Sequence, residues 1–302
     1  MSYQTTVASV AAFSGVGLHS GQRVNLAVRP AVADSGIRFH VSRDADTAPV
    51  TVTATADKVA ATSYATSLKE GDLSLHTVEH LLAALSGLGI DNVDIDVDAE
   101  EVPIMDGSAE PFIEGLLEVG IRQLDAPRMV MRLRKTIRVE EDGGDKWLQI
   151  APLDAPETII DYQIDFAHQV VGRQQYRLVL SPKTFMAELG SARTFGFAHE
   201  VQAMRQVGLA RGGSLENAVV IDDDGVMNPE GLRFVDEQVR HKALDLVGDL
   251  ALVGRRLLGH ITAYRSGHGL HTRLAQEILA RPDAWDLVPE ASLVAWPESA
   301  VA

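Results

Sequence analysis

The chain contains no cysteine among its 302 residues. This absence excludes disulfides, thiolate zinc sites and a cysteine nucleophile, so any metal must be held by histidine, aspartate, glutamate or water. Basic residues are also few, since 27 lysines and arginines face 42 aspartates and glutamates, which gives a formal net charge of −15. An acidic chain of this kind is not expected to bind nucleic acid, which requires a basic face.

The sequence also has no hydrophobic run long enough to span a bilayer. Residues 1–21 lack the basic start and the uninterrupted apolar core of a signal peptide. With 46% hydrophobic residues, the chain can nevertheless bury a substantial core. We therefore expect a cytoplasmic protein without stable membrane insertion, folded as one large domain or two of ordinary size.

The order of predicted elements repeats in the two halves of the chain. In each half, runs of period-two alternation predict strands, and a long apolar helix follows. The helix is predicted from about Thr77 to Leu88 in the first half and from about Val235 to Val253 in the second. The stretch from Leu124 to Arg128 is interpreted as a linker. The sequence therefore predicts a duplicated α+β fold with domains at residues 1–126 and 127–302.

The spacing of possible ligands in the two long helices predicts a shared metal site. His241 and Asp245 lie four residues apart and therefore share one face of the second helix. His80 occupies the equivalent register of the first helix, because Val78-x-His80 matches Val239-x-His241. Three protein ligands and one open position form the arrangement of a catalytic zinc. The ligand types leave Fe²⁺ as an alternative metal.

His76 and Glu79 permit a different interpretation. The stretch from His76 to His80 spells H-x-x-E-H, the inverted zinc-peptidase pattern, in which both histidines bind the ion. As a fourth protein ligand, His76 would leave no coordination position open for a catalytic water. It also lies just before the first turn of the predicted helix. We therefore interpret it as a surface or capping residue. Glu79 points about 100° away from His80 around the helix, yet it can reach a water at the ion. A zinc peptidase and a non-catalytic nucleotide- or lipid-binding module are the alternative functions.

Six blocks of sequence, in order along the chain, resemble a known family. They are Gly15–Gly21 (GVGLHSG), Thr77–Asn92 (TVEHLLAALSGLGIDN), Glu101–Ala109 (EVPIMDGSA), Ala192–Phe197 (ARTFGF), Gly231–Leu250 and Ala263–His271 (AYRSGHGLH). Together they resemble the UDP-3-O-acyl-N-acetylglucosamine deacetylases of lipid A biosynthesis. The resemblance implies two similar domains, each layering a β-sheet against α-helices, with the active site at the domain interface. It also implies a βαβ insert at about residues 198–224 of the second domain, which shelters an acyl chain.

The resemblance further implies a reaction and a set of residue roles. The substrate is UDP-3-O-(3-hydroxyacyl)-N-acetylglucosamine, and hydrolysis of its N-acetyl group releases acetate in the committed step of lipid A biosynthesis. The implied zinc ligands are His80, His241 and Asp245. The implied catalytic groups are Glu79 as general base, His268 as general acid, Asp249 as the carboxylate that supports His268, Lys242 at the scissile group and Thr194 at the oxyanion. The implied substrate contacts are Phe195 under the sugar, and Asp165 and Phe166 at the uridine.

Some positions depart from the family pattern. Arg265 stands where better-known members have a lysine near the nucleotide phosphates. Its planar guanidinium keeps the positive charge but is expected to contact the phosphates with a different geometry. With Lys242 and Arg193, it is expected to face the diphosphate. His76 replaces a commoner small polar residue, and Ser67 lies near a position that is cysteine in some members.

Other positions are left open by the sequence. His271 rivals His268 as the acid, since both lie in SGHGLH, and only the resemblance favours His268. The block EVPIMDGSA is expected to be structural, as a tight turn around Asp106 and Gly107. The role of His19 is undecided. We expect a monomer.

Overall fold

The computed structural model describes residues 3–43 and 48–293. In the first half, the strands are β1 Tyr3–Val7, β2 Ala11–Val16, β3 Arg23–Pro30, β4 Ile37–Val41, β5 Val50–Thr53, β6 Val59–Ala61, β7 Ser67–Glu70, β8 Leu73–Leu75, β9 Val93–Val97 and β10 Ile121–Pro127, and the helices are α1 Glu79–Leu88 and α2 Glu110–Glu118. Five strands form a sheet in the order β2-β3-β9-β4-β5, and β6, β7 and β8 form a second, antiparallel sheet.

The second half contains the larger sheet. Its strands are β11 Met129–Leu133, β12 Ile137–Glu141, β13 Lys146–Ala151, β14 Thr158–Asp165, β15 Arg173–Val179, β16 Phe195–Phe197, β17 Val219–Ile221, β18 Arg256–Tyr264 and β19 Trp285–Pro289, and its helices are α3 Pro182–Glu188, α4 Ala198–Gln206, α5 Glu237–Leu250 and α6 His268–Ala280. Short 3₁₀ turns lie at Ala56–Lys58, Asp142–Gly144, Ala251–Val253, Pro282–Ala284 and Glu290–Ser292. Strand β18 is central, because it pairs with β11, β13 and β14.

Sheets packed against helices in both halves make this the predicted α+β fold. Within the described ranges, no strand before residue 128 shares a sheet with a strand after it. The predicted linker is wrong, since Leu124–Pro127 belongs to β10, which pairs antiparallel with β1. The exact domain limits at residues 126 and 127 stay a prediction. Over residues 3–43 and 48–293, no helix is both long and apolar enough to cross a membrane.

Helices α1 and α5 pack against each other and thereby bring the two halves together. Alanine and leucine, both strong helix formers, dominate α1, and nine of its ten residues are buried. The helix begins at Glu79, two residues later than predicted, because Thr77 has a φ of +60° outside the helical region. The crossing is close at Gly248, where a Cβ atom would lie 2.1 Å from the carbonyl oxygen of Glu79. Only glycine allows this approach of the two backbones.

The predicted βαβ insert is present and begins three residues earlier than expected. Strand β16 pairs in parallel with β17, and α4 lies between them in sequence. The loop that follows α4 contacts the first half, because the backbone N–H of Gly212 donates to the carbonyl of Leu18 at 3.0 Å. A Cβ atom at Gly212 would lie 2.3 Å from the carbonyl oxygen of Gly17, so this contact also requires glycine.

Candidate active site

The three residues predicted as metal ligands meet where α1 packs against α5. His80, His241 and Asp245 are buried, and one ligand atom from each lies within 4.8 Å of the others. Oδ1 of Asp245 is 3.3 Å from Nε2 of His241 and 3.6 Å from Nε2 of His80. The two imidazole rings meet edge to face, with centroids 4.9 Å apart. The cluster therefore presents two imidazole nitrogens and one carboxylate oxygen to a single point.

The polar atoms of this cluster fit a divalent cation. Oδ1 of Asp245 is buried and has no hydrogen-bond partner among the described residues, although a buried carboxylate oxygen requires one. Nδ1 of His241 donates to the carbonyl of Ala192 at 3.0 Å, which leaves Nε2 free to act as a ligand atom. Burial lowers the pKa of His241 to about 3 against the opposing charge of Asp245, so the imidazole is in its neutral, ligating form. Two nitrogens and one oxygen form a donor set that zinc accepts.

Glu79 and His268 both lie beside the cluster and line the same cavity. Glu79 is the first residue of α1, and burial raises the pKa of its carboxyl, against the opposing charges of His268 and His80. His268 is the first residue of α6, and its Nε2 lies 3.8 Å from Oδ2 of Asp245. Burial alone would lower the pKa of His268, but Asp249 and Asp245 outweigh it and raise this pKa to about 9.

Asp249 holds both of the rival histidines. Its Oδ2 accepts hydrogen bonds from Nδ1 of His268 and from Nδ1 of His271, each at 2.8 Å. Burial opposes ionisation of Asp249, but the charge and hydrogen bonds of these histidines lower its pKa to about 2. Nε2 of His271 lies 3.0 Å from the hydroxyl of Tyr162, so both of its ring nitrogens are engaged and the side chain is fully buried. His268 lines the cavity with its Nε2 unblocked by such a contact.

A cavity of about 260 Å³ opens over the cluster of His80, His241 and Asp245. The predicted site residues that line it are Glu79, His80, Phe166, Thr194, Phe195, His241, Lys242, Asp245 and His268. Nζ of Lys242 donates to Oδ2 of Asp245 at 2.5 Å. Thr194 is positioned by its backbone N–H, which donates to the carbonyl of Gly107 at 2.7 Å. The turn at Gly107 in EVPIMDGSA thus fixes a residue of the cavity wall.

Seven further residues line the cavity, and five of them lie within the blocks that resemble the family but have no role assigned from the sequence. They are Leu18, Tyr64, Thr77, Ile104, Gly196, Phe197 and Glu200. Phe197 extends an aromatic wall, because Phe166 lies 5.7 Å from both Phe195 and Phe197, measured between ring centroids. Most of these side chains are apolar or small and resemble core residues in a sequence, so the sequence alone does not assign them to the cavity.

Two predicted substrate contacts lie outside the cavity lining. Asp165 is exposed at the end of β14, and its Oδ2 accepts from the hydroxyl of Tyr264 at 3.4 Å. Arg265 is exposed just beyond β18 with a φ of +51°, and its backbone N–H donates to the carbonyl of Gln163 at 2.9 Å. Because β14 and β18 are paired, these two side chains share one edge of the large sheet.

Arg193 does not face the cavity, so the expectation that it binds phosphate is wrong. The residue is 3% exposed, and its guanidinium pairs with Glu237 at 2.9 Å and with Glu230 at 2.6 Å. An arginine engaged by two carboxylates has no donors to spare for a diphosphate.

His76 lies before α1 and is not part of the cluster of His80, His241 and Asp245. It is exposed, and its Nδ1 is 2.8 Å from the hydroxyl of Ser67. The groups of described residues that could hold a metal, His80 with His241 and Asp245, and Asp249 with His268 and His271, do not include it. The ring nitrogens of His19 have no hydrogen-bond partner in the described part of the chain, and its role stays open.

The chain is similar to known proteins over nearly its whole length. A family model described as UDP-3-O-acyl N-acetylglycosamine deacetylase matches residues 4–280. The chain is 47% identical over 289 residues to a UDP-3-O-acyl-N-acetylglucosamine deacetylase of Citrifermentans bemidjiense, covering 95% of this chain and 92% of that protein. It is 46% identical over 286 residues to the protein of the same name from Myxococcus xanthus, covering 95% of this chain and 89% of that one.

Proposed function

Because the chain belongs to the UDP-3-O-acyl N-acetylglycosamine deacetylase family, we propose that it hydrolyses the N-acetyl group of UDP-3-O-(3-hydroxyacyl)-N-acetylglucosamine. The reaction releases acetate in the committed step of lipid A biosynthesis. The observation that carries the proposal is the buried His80–His241–Asp245 cluster, whose Asp245 oxygen lacks a hydrogen-bond partner within the described residues, beneath a cavity that Glu79 and His268 also line. Family membership supplies the substrate, and this cluster supports the type of chemistry.

The proposed resident metal is zinc, held by His80, His241 and Asp245, with Fe²⁺ as the alternative. When bound there, zinc supplies Lewis acidity, which makes a water molecule nucleophilic near neutral pH and polarises an amide carbonyl. Lys242, which contacts Asp245, and Asp249, one turn further along α5, complete the charged face of this helix.

The proposed proton transfers use Glu79 and His268, which line the cavity beside the cluster. Glu79 takes a proton from the attacking water, a role suited to a carboxylate whose pKa burial has raised. His268 is protonated at neutral pH, since its pKa is raised to about 9, and it donates a proton to the departing amine nitrogen. Asp249 keeps the imidazolium of His268 oriented through its Oδ2. Thr194 and Lys242 offer donors where negative charge develops on the carbonyl oxygen.

The proposed substrate extends beyond the cavity. A volume of about 260 Å³ accommodates the acetamide and part of the sugar, but a nucleotide sugar with an acyl chain is larger. Phe195 and Phe166 form an apolar wall for the sugar ring and the near part of the uridine. Asp165 and Arg265, at the exposed sheet edge, are proposed to contact the uridine and the phosphates. The βαβ insert is proposed to receive the acyl chain.

The deciding experiment measures acetate release from the acylated UDP-N-acetylglucosamine by the purified protein. We expect turnover that a chelator abolishes and that added zinc restores. Elemental analysis of His241→Ala should show loss of the metal. His76→Ala is the matched control, and it should keep both metal and activity. Metal loss in His76→Ala would favour the peptidase interpretation, and active chelated protein would overturn the metal-dependent mechanism. Cytoplasmic location and a monomeric state remain predictions.

A further inference from the structure

Thr66 is fully buried and contacts both the proposed base, Glu79, and the proposed acid, His268, with its partner Asp249. It directly precedes β7, and none of the sequence motifs includes it. Its backbone N–H donates to Oε2 of Glu79 at 3.0 Å, and its carbonyl accepts from the N–H of Val78 at 3.3 Å. The backbone of Thr66 therefore fixes both the N-terminus of α1 and the carboxyl group of Glu79, the first residue of that helix.

The side chain of Thr66 reaches the opposite half of the site. Its hydroxyl donates to Oδ1 of Asp249 at 2.5 Å and lies 3.2 Å from Nδ1 of His268. The other oxygen of Asp249, Oδ2, is taken by His268 and His271. Each oxygen of the Asp249 carboxylate thus accepts from a different donor. Rotation of the carboxylate about its Cβ–Cγ bond would break at least one of these hydrogen bonds.

We propose that Thr66 is a positioning residue, which fixes the Asp249 carboxylate through its hydroxyl and so aligns His268 with the scissile nitrogen. The inference rests on the proposed function, because it assigns Thr66 a part in that same reaction. Thr66 neither lines the cavity nor belongs to the metal cluster. Its hydroxyl therefore acts on the rate of the chemical step and has little effect on substrate or metal binding.

Removal of the hydroxyl has a definite physical consequence. In Thr66→Val the shape is kept, but Oδ1 of buried Asp249 loses its donor. The carboxylate is then held through Oδ2 alone, and the orientation of His268 becomes less tightly fixed. Loss of a hydrogen-bond partner that orients a metal ligand typically costs about 10- to 100-fold in activity, and we expect a loss of the same size for the orientation of His268.

A matched control separates this effect from general loss of packing. Thr158 is also buried, at 3% exposed, and its hydroxyl donates to the carbonyl of Leu257 at 2.5 Å, between strands of the large sheet. Thr158→Val removes the same group from an equally buried position that does not line the cavity. Thr66→Ser is the conservative variant, because it retains the hydroxyl.

The test compares kcat, KM and metal content for wild type, Thr66→Val, Thr66→Ser and Thr158→Val in the acetate-release assay. We expect Thr66→Val to lower kcat by about 10- to 100-fold, with KM within about threefold and metal content unchanged. Thr66→Ser should recover most of the loss, and Thr158→Val should keep kcat within about twofold. If Thr66→Val does not fold, Thr66→Ala removes the same hydroxyl without the added methyl group and carries the same expectation.

A second comparison asks whether the hydroxyl acts through His268. In a His268→Ala background, adding Thr66→Val should lower kcat by less than about threefold, because residues that act as a unit are non-additive. The Thr66 assignment is overturned by a Thr66→Val variant as active as Thr158→Val, by a Thr66→Ser variant as slow as Thr66→Val, or by a full loss in the His268→Ala background. A wild-type protein that releases no acetate overturns the proposed function itself.

Discussion

At the scale of single residues, the position of Glu79 fits the proposed role of a base better than that of a metal ligand. It neighbours His80 in sequence but points elsewhere around α1, where its Oε2 accepts the N–H of Thr66. Its carboxyl is absent from the group of atoms that could hold a metal. Burial raises its pKa, which makes the carboxylate a stronger base and so suits the proposed removal of a proton from water.

Glu79→Gln keeps the size of the side chain and its acceptor oxygen but cannot take a proton. We expect kcat to fall by about 10²- to 10⁴-fold. Metal content should equal that of wild type, since the side chain is not a proposed ligand. Steady-state kinetics together with elemental analysis measure both quantities, and Glu100→Gln, at an exposed ion pair with Arg43, serves as the control. Near-normal turnover, or loss of the metal, would show that the role assigned to Glu79 is wrong.

Local spacing predicted some site residues and missed others for a physical reason. His241 and Asp245 were predictable because a helix places residues four apart on one face. Thr66 was not, because its partner Asp249 lies 183 positions away and a lone threonine has no pattern. Arg193 was assigned wrongly because its partner Glu237, 44 positions on, cannot be inferred from the neighbouring sequence. Side chains whose partners are distant in sequence need the fold.

At the scale of elements, the crossing of α1 and α5 determines whether the proposed ligands meet. Gly248→Ala would place a Cβ atom 2.1 Å from the carbonyl oxygen of Glu79 and 3.1 Å from the backbone nitrogen of Ala83. The helices must then separate, which moves His80 away from His241. We expect a loss of about 1–3 kcal/mol in the free energy of unfolding and weaker metal binding.

Urea unfolding and a metal titration of Gly248→Ala measure these two effects. Wild-type values for both would mean that the two helices tolerate a wider separation than the contact at Glu79 indicates. Wild-type stability with weakened metal binding would show that the crossing affects the site alone.

The pair of strands β4 and β9 carries a pH-dependent contribution to stability. Arg38 donates two hydrogen bonds to Asp94, each at 2.9 Å, and Nε2 of His40 lies 2.8 Å from Oδ1 of Asp94. Burial alone would raise the pKa of Asp94, but its hydrogen bonds with His40 and Arg38 hold this pKa below the ordinary value. Because the pKa of Asp94 is lower in the folded protein than in the unfolded chain, the ionised carboxylate stabilises the fold at pH values above the unfolded pKa of about 3.9. This stabilisation is lost as the pH falls through the folded-state pKa.

Asp94→Asn should therefore lower the free energy of unfolding by about 1–3 kcal/mol at pH 7. The difference from wild type should shrink as the pH falls below about 4. Urea unfolding of chelator-treated protein across this pH range measures it. Asp96→Asn, on the same strand, is the matched control, because its partner Arg29 and Asp96 itself are 42% and 46% exposed and such pairs contribute less than about 1 kcal/mol. A pH-independent difference would contradict the assignment.

Element types followed from the sequence more readily than element ends. Apolar periodicity predicted α1 and α5, but α1 starts late because Thr77 takes a left-handed conformation that a bulky residue adopts only under tertiary constraint. The segment Leu124–Pro127 has a proline and an aspartate and was interpreted as a linker, yet it pairs with β1 at the start of the chain. An edge strand tolerates proline, and its partner lies more than a hundred residues away.

At the scale of the whole molecule, the proposed metal links two helices from different halves. A ligand that binds only the folded state stabilises it, by about 2.7 kcal/mol at a concentration 100 times its Kd. Removal of zinc should therefore lower Tm by about 4 °C. Calorimetry of chelated and zinc-restored protein measures the shift, and His241→Ala should show none on addition of zinc. Equal Tm values for the two wild-type forms would count against a metal at this position.

The overall architecture was predicted because two independent signals agreed. The repeated register of His80 and His241 indicated two equivalent units, and six ordered blocks indicated the family. The extent of the cavity could not be predicted, since its wall combines Leu18 from the first half with Phe197 from the insert. That combination depends on backbone contacts at Gly17 and Gly212, which only the assembled chain reveals.

The order of the cluster residues along the chain has a consequence for synthesis. Glu79 and His80 leave the ribosome well before His241, Asp245 and His268, which lie in the second half of the fold. The large sheet is completed later still, because β19 pairs with β11. A nascent polypeptide that ends before α5 therefore carries only one of the three proposed metal ligands and lacks the proposed acid, so the proposed site can form only after the start of α6 has been synthesised.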